Sequence, residues 1–194
     1  GAHHRRRLRG PGGPAAACGA GDGMTFPATD YATELAGLHA DLRELGATVA
    51  VAESLTGGLL TAALTATPGA SATVRGGLVV YATDLKATLA GVPADLLAER
   101  GAVDPDVVLA LARGVRTRLD ATYGLGVTGV AGPDPQDGKP VGTVFLAIAG
   151  PDDQIVAERA FTGGRAAIRA AAVDAALDVL KRECASAITS LRSL

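Results

Sequence analysis

The sequence predicts an α/β protein, a three-layer α/β/α sandwich on a mixed sheet. Short apolar runs rich in β-branched residues alternate along the chain with segments whose apolar residues recur at helical spacing. The first such run stops at a polar corner before an Ala/Leu-rich segment, in Val49-Ala50-Val51-Ala52-Glu53-Ser54-Leu55-Thr56-Gly57-Gly58. Near the C-terminus two further apolar runs flank Gly150-Pro151-Asp152-Asp153, a turn composition that joins neighbouring strands antiparallel and makes the sheet mixed.

The elements follow in order. Leu35, Leu38, Leu42 and Leu45 repeat at helical spacing after Thr29-Asp30, and Gly46 stops the pattern, which predicts a helix over 30–45. Residues 47–52 read as a buried parallel strand. Ser54 sits at the turn that follows, and Gly57 to Ala66 forms a short helix broken by Pro68-Gly69. A second strand spans 76–82 and ends near Tyr81. Thr83 or Asp84 caps a helix over 84–90, which puts Lys86 in its first turn. Pro93 to Arg100 is a further short helix. Asp104-Pro105 then opens a longer one to about Leu119, with Asp at the cap and Pro at the first helical position. Strand three covers 122–128 and runs into Gly129-Val130-Ala131-Gly132-Pro133, with a polar loop to Pro140. Strands at 141–149 and 154–161 make the hairpin. A last helix starts near 164, its stripe through Ile168, Ala172, Ala175, Val179 and Ala187, widened by Leu177, Leu180 and Cys184.

Composition narrows the functions. With 194 residues, 48% of them hydrophobic, the chain has the material for one full core. Residues 1–23 hold a His pair, Arg5-Arg6-Arg7 and an aperiodic Gly/Pro/Ala stretch before Met24, which reads as a disordered leader or expression remnant; residues 24–194 are then a single domain. A net charge of −2 provides no global positive field for nucleic acid, and no apolar run is long enough for a membrane span. Cys18 and Cys184, one in the leader and one in a late helix, indicate neither a disulfide framework nor a metal cluster and fit a reducing cytoplasm. His3, His4 and His39 favour neither a zinc site nor a histidine-based triad, so no metal or cofactor is expected.

Chemistry concentrates at the strand ends. Ser54 stands between a strand and a helix, where backbone N–H groups of Leu55–Gly58 suit an oxyanion or a phosphate; a helix cap is the competing role for Ser54 or Thr56. A serine nucleophile needs a base, and with histidine poorly placed, Lys86 becomes the candidate if burial keeps its amine neutral. The alternative for Lys86 is an ordinary surface lysine. Tyr81 would direct its phenol to the same cleft or pack as a core tyrosine. Tyr81 and Lys86 are five apart, not the four that would align them on one face of a helix as in short-chain dehydrogenases, and Gly57 occupies the position where a Ser-x-x-Lys motif needs lysine. Thr128, Gly129 and Gly132 permit close approach of a ligand at a second strand end, and Arg165 or Arg169 could clamp a phosphate.

Together these segments resemble the CinA C-terminal domain family, whose enzymatically active members are nicotinamide mononucleotide deamidases. The resemblance rests on Ala52-Glu53-Ser54-Leu55-Thr56-Gly57-Gly58, Pro68-Gly69-Ala70-Ser71, Arg75 to Tyr81, Lys86, Val127 to Pro133, Lys139 to Thr143, and Phe161 to Arg169, and covers about residues 30–185. It implies a Ser/Lys amidohydrolase with Ser54 as nucleophile, Lys86 as general base and Tyr81 assisting by hydrogen bonding. Thr56, Gly57, Gly58, Thr128, Gly129, Gly132 and Arg165 would bind substrate. The implied substrate is nicotinamide mononucleotide, the implied assembly a homo-oligomer. Two segments depart from the family pattern: Asp134 to Gly138 is not glycine-rich, and Gly164 stands where an acidic residue is expected before Arg165. They motivate the alternative of a non-catalytic nucleotide-binding regulatory domain.

Overall fold

The computed structural model describes residues 30–193. The expectations for the leader, His3, His4 and Cys18 therefore fall outside the described residues. Asp30 caps the first helix, accepting hydrogen bonds from the Thr33 N–H and hydroxyl. The single helix expected over 30–45 is two, α1 (Tyr31–Glu34) and α2 (Ala36–Glu44), broken at the fully buried Leu35. Then come β1 (Val49–Glu53), α3 (Leu59–Thr65), β2 (Val74–Val79), α4 (Thr83–Thr88), α5 (Ala94–Arg100), α6 (Pro105–Arg118), β3 (Tyr123–Gly129), β4 (Thr143–Ala149), β5 (Gln154–Ala160) and α7 (Arg165–Arg192). Asp104 caps α6 as anticipated, accepting from the Asp106 N–H at 2.8 Å.

The sheet order is β2-β1-β3-β4-β5. β1 pairs parallel with β2 and β3, whereas β3, β4 and β5 pair antiparallel in sequence, so the sheet is mixed. Side-chain alternation along β1 feeds two cores: Val49 and Val51 pack with α2, α3 and α7, while Ala50 and Ala52 pack with α5 and α6. This gives the three layers. Small residues set the spacing on the α6 side. A Cβ at Gly124 would lie 2.0 Å from the Ala112 carbonyl oxygen and one at Gly126 2.5 Å from that of Val108, so α6 rests its backbone directly on β3.

Several boundaries differ from the sequence reading, each for a local reason. β2 lies earlier than 76–82, and Tyr81 is 57% exposed beyond its end, which excludes a core tyrosine. α3 begins at Leu59 because Gly57 and Gly58 adopt φ of +58° and +99°, a left-handed turn that helical residues do not share. The α7 stripe is rotated from the one expected: Ile168, Ala172, Ala176, Leu180 and Cys184 form its buried line, while Ala175 and Val179 are half-buried. His39 is a buried structural residue, with Nδ1 2.6 Å from Thr73 Oγ1 and Nε2 3.0 Å from the Leu64 carbonyl. No helix among the described residues is long and apolar enough to cross a membrane.

Candidate active site

Parallel pairing brings the C-terminal ends of β2, β1 and β3 side by side, and the site is built on the chain that leaves them. Ser54 follows β1 directly, its N–H donating to the Val127 carbonyl of β3 at 3.0 Å, so its backbone still belongs to the sheet. Beyond β2, the Val80 N–H donates to the Glu53 carbonyl at 2.8 Å before the chain turns into α4. That turn delivers Lys86. Only 1% exposed, it places Nζ 3.1 Å from Ser54 Oγ, 2.8 Å from the Val80 carbonyl oxygen and 3.4 Å from that of Tyr81.

This arrangement accommodates both the charged and the neutral amine. Nζ donates to both carbonyls and to Ser54 Oγ; once the amine loses a proton, two N–H groups suffice for the carbonyls and the lone pair faces the Ser54 hydroxyl. No carboxylate among the described residues forms an ion pair with Lys86. Burial pushes its amine down from the ordinary lysine range to about 8, and the more distant charges of Asp137 and Asp84 pull weakly the other way. A lysine with these surroundings is deprotonated at a lower pH than an exposed one.

The turn after Ser54 is held by charges of both signs. Glu53, fully buried, accepts from the N–H groups of Gly58 at 2.9 Å, Leu60 at 3.1 Å and Thr61 at 2.8 Å, and from the Thr61 hydroxyl at 2.6 Å. The mouth of α3 is thus filled by the protein's own carboxylate. That corrects the expectation that the N–H groups up to Gly58 are open to a substrate anion. Arg169 donates to the carbonyls of Leu55 at 2.9 Å and Thr56 at 2.8 Å, so it grips the turn and is not a free phosphate clamp.

A cavity of about 320 Å³ opens in front of Ser54 and Lys86. Leu55, Tyr81, Val103, Gly129, Gly132 and Arg165 are among its walls. Arg165 spans the mouth, donating to the Gly132 carbonyl at 2.7 Å and to the Tyr81 hydroxyl at 2.8 Å. Ser54, Lys86, Tyr81, Gly129, Gly132 and Arg165 are therefore brought together. Thr56, Gly57, Gly58 and Thr128 do not line the cavity. Thr128 is fully buried and donates its hydroxyl to the Ala102 carbonyl at 2.7 Å, which fixes the turn carrying Val103.

Sequence reasoning missed Glu53 and Asp137 as functional supports. The Asp137 carboxylate accepts from the N–H groups of Ala102 at 2.7 Å and Val103 at 3.3 Å, so it anchors the same turn. The signals were available: a carboxylate ending an otherwise apolar strand, and an Asp-Gly pair in the polar loop.

The fold and the pocket define a small-molecule-binding α/β domain with a serine and a buried lysine in contact. The family model for the CinA C-terminal domain matches residues 32–184, and the chain belongs to that family. It is 54% identical over 141 residues to a CinA-like protein of Frankia casuarinae, covering 73% of this chain and 33% of that protein. A CinA-like protein of Acidobacterium capsulatum is 51% identical over 138 residues, covering 71% and 33%. The chain thus spans about a third of the length of the curated relatives it matches. Among solved structures, a CinA superfamily protein from Klebsiella pneumoniae superposes with a TM-score of 0.77 at 30% identity, covering 81% of this chain and 99% of that one. The competence/damage inducible protein CihA from Agrobacterium tumefaciens gives 0.76 at 37%, covering 81% and 97%.

Proposed function

We propose that this chain hydrolyses the carboxamide of nicotinamide mononucleotide, giving nicotinic acid mononucleotide and ammonia. One observation carries the reading: the side chain of a buried lysine, without an ion-pair partner among the described residues, lies 3.1 Å from the hydroxyl of Ser54 at the wall of a cavity.

The neutral amine of Lys86 takes the Ser54 hydroxyl proton as Oγ bonds to the carboxamide carbon, and the carbonyl pair moves onto oxygen. Backbone N–H groups following Ser54 stabilise that oxyanion. Its collapse expels the amide nitrogen, which leaves as ammonia with the proton held by Lys86. Water then attacks the acyl ester and gives a proton to Lys86, and Ser54 Oγ departs and recovers it. Gly129 and Gly132 allow the nucleotide to approach the second wall. Arg165 offers a guanidinium to the phosphate by exchanging its contacts with Gly132 and Tyr81. Tyr81 assists twice, its carbonyl on Lys86 and its phenol on Arg165. Thr56, Gly57, Gly58 and Thr128 contribute from behind these walls.

Ammonia release from nicotinamide mononucleotide is the test. Turnover by the wild type that disappears in Ser54→Ala supports the reading. Calorimetric uptake of the nucleotide without ammonia would instead establish a binding domain.

A further inference from the structure

Three successive peptide groups after the serine have their carbonyl ends tied down. The Ser54 carbonyl accepts from the Gly57 N–H at 3.1 Å, the Leu55 carbonyl from Arg169 Nε at 2.9 Å, and the Thr56 carbonyl from Arg169 Nη2 at 2.8 Å and the Leu59 N–H at 3.3 Å. Because a peptide group is planar, holding its carbonyl also aims the N–H at its other end. The two N–H groups aimed in this way without an acceptor of their own among the described residues are those of Leu55 and Thr56. The neighbouring donors are already spent, since Gly57 bonds back to Ser54 and Gly58, Leu60 and Thr61 bond to Glu53.

We infer that Arg169 is a positioning residue for this reaction: its bonds to the Leu55 and Thr56 carbonyls set the turn whose Gly57 N–H holds the Ser54 carbonyl, so that the Leu55 N–H, at the cavity wall, receives the oxyanion. The inference rests on Ser54 being the nucleophile, but not on the identity of the amide. It also assigns the two arginines of α7 different work. Arg165, one helical turn earlier, reaches the cavity mouth, whereas Arg169 is half-buried behind the turn and does not line the cavity. No carboxylate among the described residues forms an ion pair with Arg169, so its charge also adds to the field at the two peptides it holds. A lysine could not replace it, because one ammonium on a flexible stem lacks the planar pair of donors that Nε and Nη2 supply.

The test uses a fluorophosphonate probe, in which Ser54 Oγ bonds to phosphorus as fluoride leaves and the phosphoryl oxygen occupies the oxyanion position. Phosphonylation of Ser54 should slow by roughly 10²-fold in Arg169→Ala, the order of losing one oxyanion donor, and nearly as far in Arg169→Lys. Millimolar guanidinium ion should restore much of the rate to Arg169→Ala. On nicotinamide mononucleotide, kcat should fall with KM nearly unchanged, whereas a phosphate clamp would raise KM. Arg169→Lys keeps charge and stem, and decides the matter if circular dichroism shows that the alanine variant has unfolded. Wild-type phosphonylation rates in a folded Arg169→Lys protein overturn the inference, as does a wild-type protein whose Ser54 is not labelled. Slow labelling in the variants, with no ammonia released by the wild type from nicotinamide mononucleotide, supports the inference and removes only the proposed substrate.

Discussion

Lys86 Nζ lies 3.1 Å from Ser54 Oγ, although the residues are 32 apart in sequence and leave different strands of the sheet. Parallel pairing of β1 with β2 makes the contact possible, because it puts both exits at the same edge. The same packing removes Lys86 from water and lowers the pH at which its amine becomes neutral, so one feature of the fold supplies both the contact and the shifted titration.

The first prediction concerns pH. Activity should rise as the Lys86 amine deprotonates through about 8 and then level off. Stability should follow the same group. Between about 8 in the fold and the ordinary value of 10.5 in the unfolded chain, the unfolded state binds more protons. This residue's contribution to stability therefore improves as pH rises across that window, and its cost is full below it. Melting curves of wild type and Lys86→Met should show the difference between them shifting toward the wild type from pH 8 upward. A constant difference would contradict a depressed lysine.

Glu53→Gln replaces one carboxylate oxygen by an NH2 facing backbone donors, whichever way the amide is turned. A loss of about 1–3 kcal/mol in urea denaturation is expected, the range for leaving buried hydrogen-bonding groups unpaired. A variant as stable as the wild type would mean that the cap is not needed.

Thr56 carries the opposite prediction. Its hydroxyl is buried and has no hydrogen-bond partner among the described residues. Thr56→Val keeps the shape and removes an unsatisfied polar atom, so stability should hold or rise by up to about 1 kcal/mol. A marked fall in urea midpoint would show that the hydroxyl is satisfied in solution.

Gly124→Ala tests the close seating of α6. The added Cβ would sit 2.0 Å from the Ala112 carbonyl oxygen, a backbone atom that yields only if the helix moves. The expected cost is about 3 kcal/mol or more, at the upper end for overpacking, read from the shift in thermal midpoint. Gly138→Ala, where a Cβ would meet nothing within 4 Å but φ is +71°, is the control for backbone strain without a clash.

Much of this was legible because periodicity and turn chemistry are local. The strand into Ser54, the Asp104-Pro105 helix start and the Gly150 to Asp153 hairpin all follow from neighbours in the chain. Arg169 reads in sequence as a candidate phosphate clamp, but its bonds go to Leu55 and Thr56 more than a hundred positions away. Thr128 looked like a ligand contact because it ends a strand next to glycines, but its side chain turns to Ala102. Glu53 was hidden for another reason: the eye goes to the serine beside it, while its carboxylate is used by a helix that only the left-handed turn at Gly57 and Gly58 brings within reach.

The central claim is that Ser54 and Lys86 act as nucleophile and base on nicotinamide mononucleotide. The most direct measurement is ammonia release from that nucleotide on either side of pH 8, by the wild type, Ser54→Ala and Lys86→Met. The account predicts wild-type turnover that climbs through about 8 and losses of at least about 10³-fold in both variants. Ammonia released by Ser54→Ala at the wild-type rate, with the same pH profile, would contradict it.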